Sequence, residues 1–122
     1  MDLKSLRWPE VELEELGARF TELFEKALAK IPEARTWNKV YQFVVDGQEF
    51  YMVISGGRLE IREGRHPNPI ATLSMSRDVL ARILSGELDA MRAFMTRQLT
   101  ITGNVFDTVN LKRVIDAGLG RA

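Results

Sequence analysis

A chain of 122 residues, 45% apolar and 28% charged, is sized for one domain with its own core rather than two. Seventeen basic residues are matched by seventeen acidic ones, so there is no bulk electrostatic attraction to nucleic acid. The absence of cysteine excludes disulfides, thiolate catalysis and cysteine-ligated zinc, and a single histidine, His66, excludes a histidine-pair metal site.

The chain opens Met1-Asp2-Leu3-Lys4, without the apolar stretch of a secretory signal. Its longest apolar run, Phe50 to Ile54, falls far short of the ~20 residues that cross a bilayer. A cytoplasmic protein with no membrane span is the resulting expectation.

The spacing predicts an amphipathic helix over residues 10–31. Leu13, Leu16, Phe20, Leu23, Phe24, Ala27, Leu28 and Ile31 recur every three or four residues and form one apolar stripe. Pro9 suits a first helical position and Pro32 ends the run. Glu10, Glu12, Glu14 and Glu15 lie at the positive end of the helix dipole, Lys26 and Lys30 at the negative end. From Trp37 to Arg62 the period changes to two. Asp46-Gly47 and Gly56-Gly57 interrupt it, and both are hairpin signals, because a type I′ turn needs two successive residues at positive φ. These turns set the register. Val45 lies opposite Gln48, Phe43 opposite Phe50 and Tyr41 opposite Met52; then Ile54 lies opposite Leu59 and Met52 opposite Ile61. Tyr41, Phe43, Val45, Phe50, Met52, Ile54, Leu59 and Ile61 therefore share one face. Gln42, Asp46, Glu49, Ser55, Arg58, Glu60 and Arg62 are expected on a mostly wet opposite face.

His66-Pro67-Asn68-Pro69 reads as a rigid turn, after which Ala71, Leu73 and Met75 alternate with Thr72 and Ser74 as a fourth strand. Ser76 is expected to cap a short helix through Leu80, Ile83 and Leu84 that stops at Ser85-Gly86, and Asp89 a second carrying Met91, Phe94 and Met95. Leu99 and Ile101 alternate with Thr100 and Thr102 as a fifth strand. A last helix is predicted to begin after Gly103-Asn104, with Val105, Phe106, Val109, Leu111, Val114 and Ile115 as its apolar positions. Segregated strands and helices give an α+β, two-layer fold: a five-stranded sheet with helices packed on its greasy face, in one domain over residues 1–122.

The catalytic inventory is thin. His66 sits between prolines in a turn, no serine lies in a G-x-S-x-G elbow, and the glycine pairs join strands instead of opening a phosphate-binding helix. Glu14 and Glu15 complement a helix dipole. Arg58, Arg62 and Arg65 are interleaved with Glu60 and Glu63, which favours a solvated strand edge over an anion-docking or acidic-membrane role. Neither an enzymatic activity nor a metal, nucleotide or other cofactor is expected. What remains is apolar: Phe43, Phe50 and Met52 on the sheet, and Leu80, Leu84, Met91, Phe94 and Met95 in the 76–95 segment. Methionine adapts to varied ligands, yet such a set is equally a filled core or the lining of a cavity, and composition does not separate the two.

The segment from Leu73 to Leu111 resembles the sterol carrier protein-2 family. The resemblance is carried by Ser76-Arg77-Asp78-Val79-Leu80-Ala81-Arg82-Ile83-Leu84-Ser85-Gly86-Glu87-Leu88-Asp89, then Ala93-Phe94-Met95, then Leu99-Thr100-Ile101-Thr102-Gly103-Asn104. The order of the upstream helix and meander extends it over nearly the whole chain. It implies a domain that holds an apolar ligand (fatty acid, acyl-CoA, phospholipid or isoprenoid) in a tunnel between sheet and helices, with the C-terminal helix as a movable cover and no invariant catalytic group. On this reading the ligand meets Phe43, Phe50, Met52, Met75, Leu84, Met91, Phe94, Met95, Phe106 and Val109. Phe106 either plugs the entrance or makes an ordinary helix-to-core contact, and Gly118 and Gly120 leave the far end of the cover weakly anchored. Arg97-Gln98 stands where the family has Gly-Lys, and the ending Leu119-Gly120-Arg121-Ala122 lacks a peroxisomal tail. A free-standing prokaryotic member is implied.

Two functional readings stay open. One is binding and transfer of an apolar small molecule or lipid, with transient membrane contact. The other is an accessory module, assembling with itself or with an enzyme of lipid or quinone metabolism, whose cavity is vestigial and whose interface is the Val40, Val44, Tyr51 and Val53 face.

Overall fold

At both hairpin turns the two central residues take positive φ: 48° and 79° at Asp46-Gly47, 59° and 78° at Gly56-Gly57. The register they impose is the one the spacing predicts, with Phe43 opposite Phe50, Tyr41 opposite Met52 and Met52 opposite Ile61. A computed structural model describes residues 10–121, so the role given to Pro9 lies outside the described residues. In chain order the elements are α1 (Glu10–Leu28), a 3₁₀ turn (Pro32–Thr36), β1 (Asn38–Val45), β2 (Gln48–Ser55), β3 (Arg58–Glu63), β4 (Ala71–Met75), α2 (Arg77–Ser85), α3 (Ala90–Met95), β5 (Leu99–Gly103) and α4 (Thr108–Gly118).

The strands form one mixed sheet in the order β3-β2-β1-β4-β5, with β4 parallel to β1 and the other pairs antiparallel. Leaving β3 at one edge, the chain must pass two strands to reach β4, and residues 64–70 make that crossing over the outer face. Gln42 marks the route. It points to the face expected to be wet, but the crossing buries it. Its Nε2 donates to Phe50 O (3.1 Å) and Gly64 O (3.0 Å), while its Oε1 accepts from His66 N (2.8 Å). The hydrogen bonds of this buried amide offset its desolvation, and they hold the crossing down. The Tyr51 ring meets His66 edge-on at 5.3 Å between centroids. The outer face is thus partly covered by the chain's own loop.

All four helices lie on the other face. α1 covers β1–β3 with Phe20, Leu23, Phe24 and Ala27, packed on the fully buried Phe43, Phe50, Met52 and Ile54. Phe43 stacks on Phe50 at 5.1 Å and meets Phe20 at 5.8 Å. α2 and α3 begin at the expected caps: the Ser76 side chain accepts from Val79 N, and that of Asp89 from Arg92 N. Arg19 of α1 donates to Leu84 O (2.8 Å), one of the unpaired carbonyls at the end of α2.

α4 differs from expectation at both ends. Val105 to Asp107 form turns, and the helix proper starts at Thr108. Its far end is anchored, because Gly118 is where α4 crosses α1: a Cβ there would lie 2.5 Å from Leu23 O and 2.7 Å from Leu23 Cα. Glycine at this position sets the helix–helix distance instead of fraying the helix.

Candidate functional site

α1 is long enough to fill the space over β1, β2 and β3 but does not reach across β4 and β5. That half of the greasy face is roofed by α2, by the six-residue α3 and by the first turns of α4, and these short elements do not close over it. Between them lies a cavity of about 100 Å³. Leu73, Met75, Leu99 and Ile101 form its floor; Leu80, Ile83, Met91, Phe94, Val105, Thr108, Val109, Leu111, Lys112 and Ile115 form its roof and walls; Phe20 and Phe43 bound it on the α1 side and Ala90 completes it. The lining residues that are well exposed are Met91, Phe94, Val105 and Val109, so the cavity opens between α3 and the start of α4.

Of the seventeen lining residues only Thr108 and Lys112 are polar, and both are engaged. Thr108 Oγ1 donates to Val105 O at 2.5 Å. Lys112 Nζ lies 2.5 Å from Asp116 Oδ2 and 3.3 Å from Asp89 Oδ1. The hydrogen bond and charge of Asp116, with those of Asp89, hold the lysine above its ordinary range against the opposing effect of burial. A ligand inside meets no free cation on the wall. The site offers hydrophobic burial, at about 25 cal/mol per Å² removed from water, and no group placed for acid–base or nucleophilic chemistry.

Beside the cavity a second polar cluster ties the start of α4 to the sheet. Asp107 accepts from Tyr41 OH at 2.5 Å and from Lys39 Nζ at 2.8 Å, with the lysine and carboxylate side chains only 14% and 18% exposed. Burial by itself would raise the Asp107 carboxyl. The two donors and the lysine charge outweigh it and hold that carboxyl below the usual range, while burial and the same carboxylate push the Tyr41 phenol up.

The residues singled out from sequence divide into three groups. Phe43, Met75, Met91, Phe94 and Val109 line the cavity. Phe50, Met52 and Leu84 are buried outside it, in the part of the core filled by α1 and α2. Met95 (74% exposed) and Phe106 (91% exposed) line nothing and project into solvent; Phe106 does not plug the entrance, because the turns at 105–107 carry its ring outward. Leu73, Leu99 and Ile101 also line the cavity, and strand alternation, which places them on the same face as Met75, is the signal for them in the sequence. Nothing local distinguishes Thr108, Leu111 and Lys112 as lining. Among the described residues no group of three or more His, Cys, Asp or Glu side chains is arranged to hold a metal ion, and no helix is long and apolar enough to cross a membrane.

The fold is that of sterol carrier protein-2 structures. A ubiquinone synthesis protein, UbiJ-SCP2, superposes with a TM-score of 0.72 at 15% identity, covering 93% of this chain and 95% of that one. Sterol carrier protein 2 from Yarrowia lipolytica, in its apo form, gives 0.64 at 17% identity over 96% and 99% of the two chains. Palmitated SCP2L2 from Aedes aegypti gives 0.55 at 16% identity over 77% and 91%. No curated protein sequence matches the chain. The sequence does match the SCP-2 sterol transfer family over residues 20–116, a stretch that contains all seventeen lining residues, and the chain belongs to that family.

Proposed function

We propose that this protein is a non-enzymatic carrier of an apolar ligand (a fatty acid, acyl-CoA, phospholipid or isoprenoid), held between β4–β5 and the roof formed by α2, α3 and α4. The observation that supports this reading is the wall: fifteen apolar residues, with the two polar ones already bonded to the protein. Family membership and the likeness to a palmitated relative point the same way. The cavity in this state is smaller than the ~150 Å³ engineered cavity that admits benzene, and far below the ~300–1,000 Å³ of ordinary ligand sites. A long chain or ring system enters only if α3 and the start of α4 move outward. The headgroup then stays at the opening, since no wall group is free to receive it.

Native mass spectrometry of the purified protein, followed by organic extraction, tests the proposal. A co-purifying apolar molecule is expected, and a fluorescent fatty-acid analogue should slow hydrogen exchange of amides 90–112 more than those of β1–β3. Failure to retain any apolar molecule or analogue overturns it. The second reading, an accessory module assembling with an enzyme, is favoured by the likeness to a ubiquinone synthesis protein. A heteromeric complex without bound lipid in the same experiment would support it.

A further inference from the structure

Among residues 13–121 the exposed large apolar side chains are Met91, Phe94, Met95, Val105, Phe106 and Val109. Four of them form the rim of the cavity opening. The other two, Met95 and Phe106, lie beside those four in sequence, line nothing and stand furthest into solvent. An apolar patch gathered around one opening is not the scatter of single exposed residues that every surface carries. Charge follows the same outline. Residues 90–106 contain Arg92 and Arg97 and no acid. Both arginines are exposed, and neither has an ion-pair partner among the described residues. Arg97 stands at φ 64°, a left-handed conformation that disfavours any residue with a side chain, so the cation is carried at a strained position. The first acid after this stretch, Asp107, is turned inward to Lys39 and Tyr41.

From this arrangement we infer that the rim is a docking surface for an anionic lipid bilayer, into whose headgroup boundary Met95 and Phe106 insert while Arg92 and Arg97 meet the phosphates. The inference rests on reading the cavity as a lipid site. It also gives that reading a route: a ligand leaving between α3 and α4 passes directly into acyl chains without crossing water. Protruding Phe and Met side chains with flanking arginines are the composition of an interfacial insertion site.

Flotation of the full chain with vesicles checks this, using phosphatidylcholine alone and phosphatidylcholine with about one-third phosphatidylglycerol. Binding to the anionic vesicles and little to the neutral ones is expected, weakening as salt is raised. Met95→Asp and Phe106→Asp should each lower vesicle binding roughly tenfold or more. Circular dichroism and solution binding of the fluorescent fatty-acid analogue should be unchanged, since neither side chain packs in the core or lines the cavity. The double substitution Arg92→Gln with Arg97→Gln should abolish the preference for anionic lipid. Equal binding of the wild type and the Asp variants overturns the docking surface, as does failure of the wild type to bind either vesicle. A concentration-dependent dimer abolished by Phe106→Asp, without vesicle binding, would assign the patch to a second copy and also overturn it. Because analogue binding is read separately, its loss in the wild type would reject the lipid site while the vesicle result stood on its own.

Discussion

One sheet face supports two different interiors. Over β1–β3 the nineteen-residue α1 lays Phe20, Leu23 and Phe24 onto Phe43, Phe50, Met52 and Ile54, and these side chains are at most 1% exposed. Over β4–β5 the strand pattern is just as regular, with Leu73, Met75, Leu99 and Ile101 facing inward, yet the cover is pieced together from three shorter helices, α2, the six-residue α3 and α4. The space there is not filled. Apolar alternation therefore says which way a strand faces, whereas the length and continuity of the opposing helix decide whether that face becomes core or cavity.

The largest expected effect sharpens this contrast. Phe50→Ala should cost about 3–5 kcal/mol, and Phe94→Ala about 1 kcal/mol or less while weakening ligand retention. Urea unfolding at constant m-value measures both, and equal costs would break the distinction between filled and open halves. Gly118→Ala comes next. Its Cβ would press on the Leu23 backbone, which has no rotamer to yield, so about 2–3 kcal/mol is expected from forcing α4 off α1. A neutral result would mean that the two helices are not held at this distance.

Asp107→Asn tests the tie between the open half and the sheet. About 1–2 kcal/mol should be lost at neutral pH, because the nearly buried Lys39 is left without its counter-ion. The pH dependence has a definite sign. The Asp107 carboxyl is held low in the folded state, so its contribution is complete above the unfolded value near pH 4 and disappears as the pH falls through the folded one. The wild-type advantage over Asp107→Asn should be constant from about pH 8 to 5 and shrink below about pH 4. An advantage that stays undiminished down to pH 2 would exclude the carboxylate as its source. The smallest effect, a gain of about 0.5–1 kcal/mol, is expected for Arg97→Gly, which relieves the left-handed backbone at 97. Thermal unfolding checks it. No gain would mean that the arginine side chain returns what its backbone loses.

Elements, caps and the register of the meander were legible in the chain because they rest on local chemistry. Two residues at positive φ fix a hairpin, Ser76 and Asp89 cap the helices they precede, and a period of two or 3.6 assigns faces. Five of the ten side chains expected at the ligand do line the cavity, while Phe50, Met52 and Leu84 show the same inward pattern and lie under filled core. The difference is not local. It depends on how far α1 extends over the sheet and on where the 64–70 crossing sets β4, parallel to β1 and beyond the reach of α1. Gln42 and Gly118 carry the same lesson. A polar residue on a nominally wet face is buried by a loop from elsewhere in the chain, and a glycine that reads as a weak helix end is a contact between two helices. Sequence patterns determine which face each residue presents to its own element. Which faces then meet, and how completely they fill the space between them, is decided by packing among segments far apart in the chain.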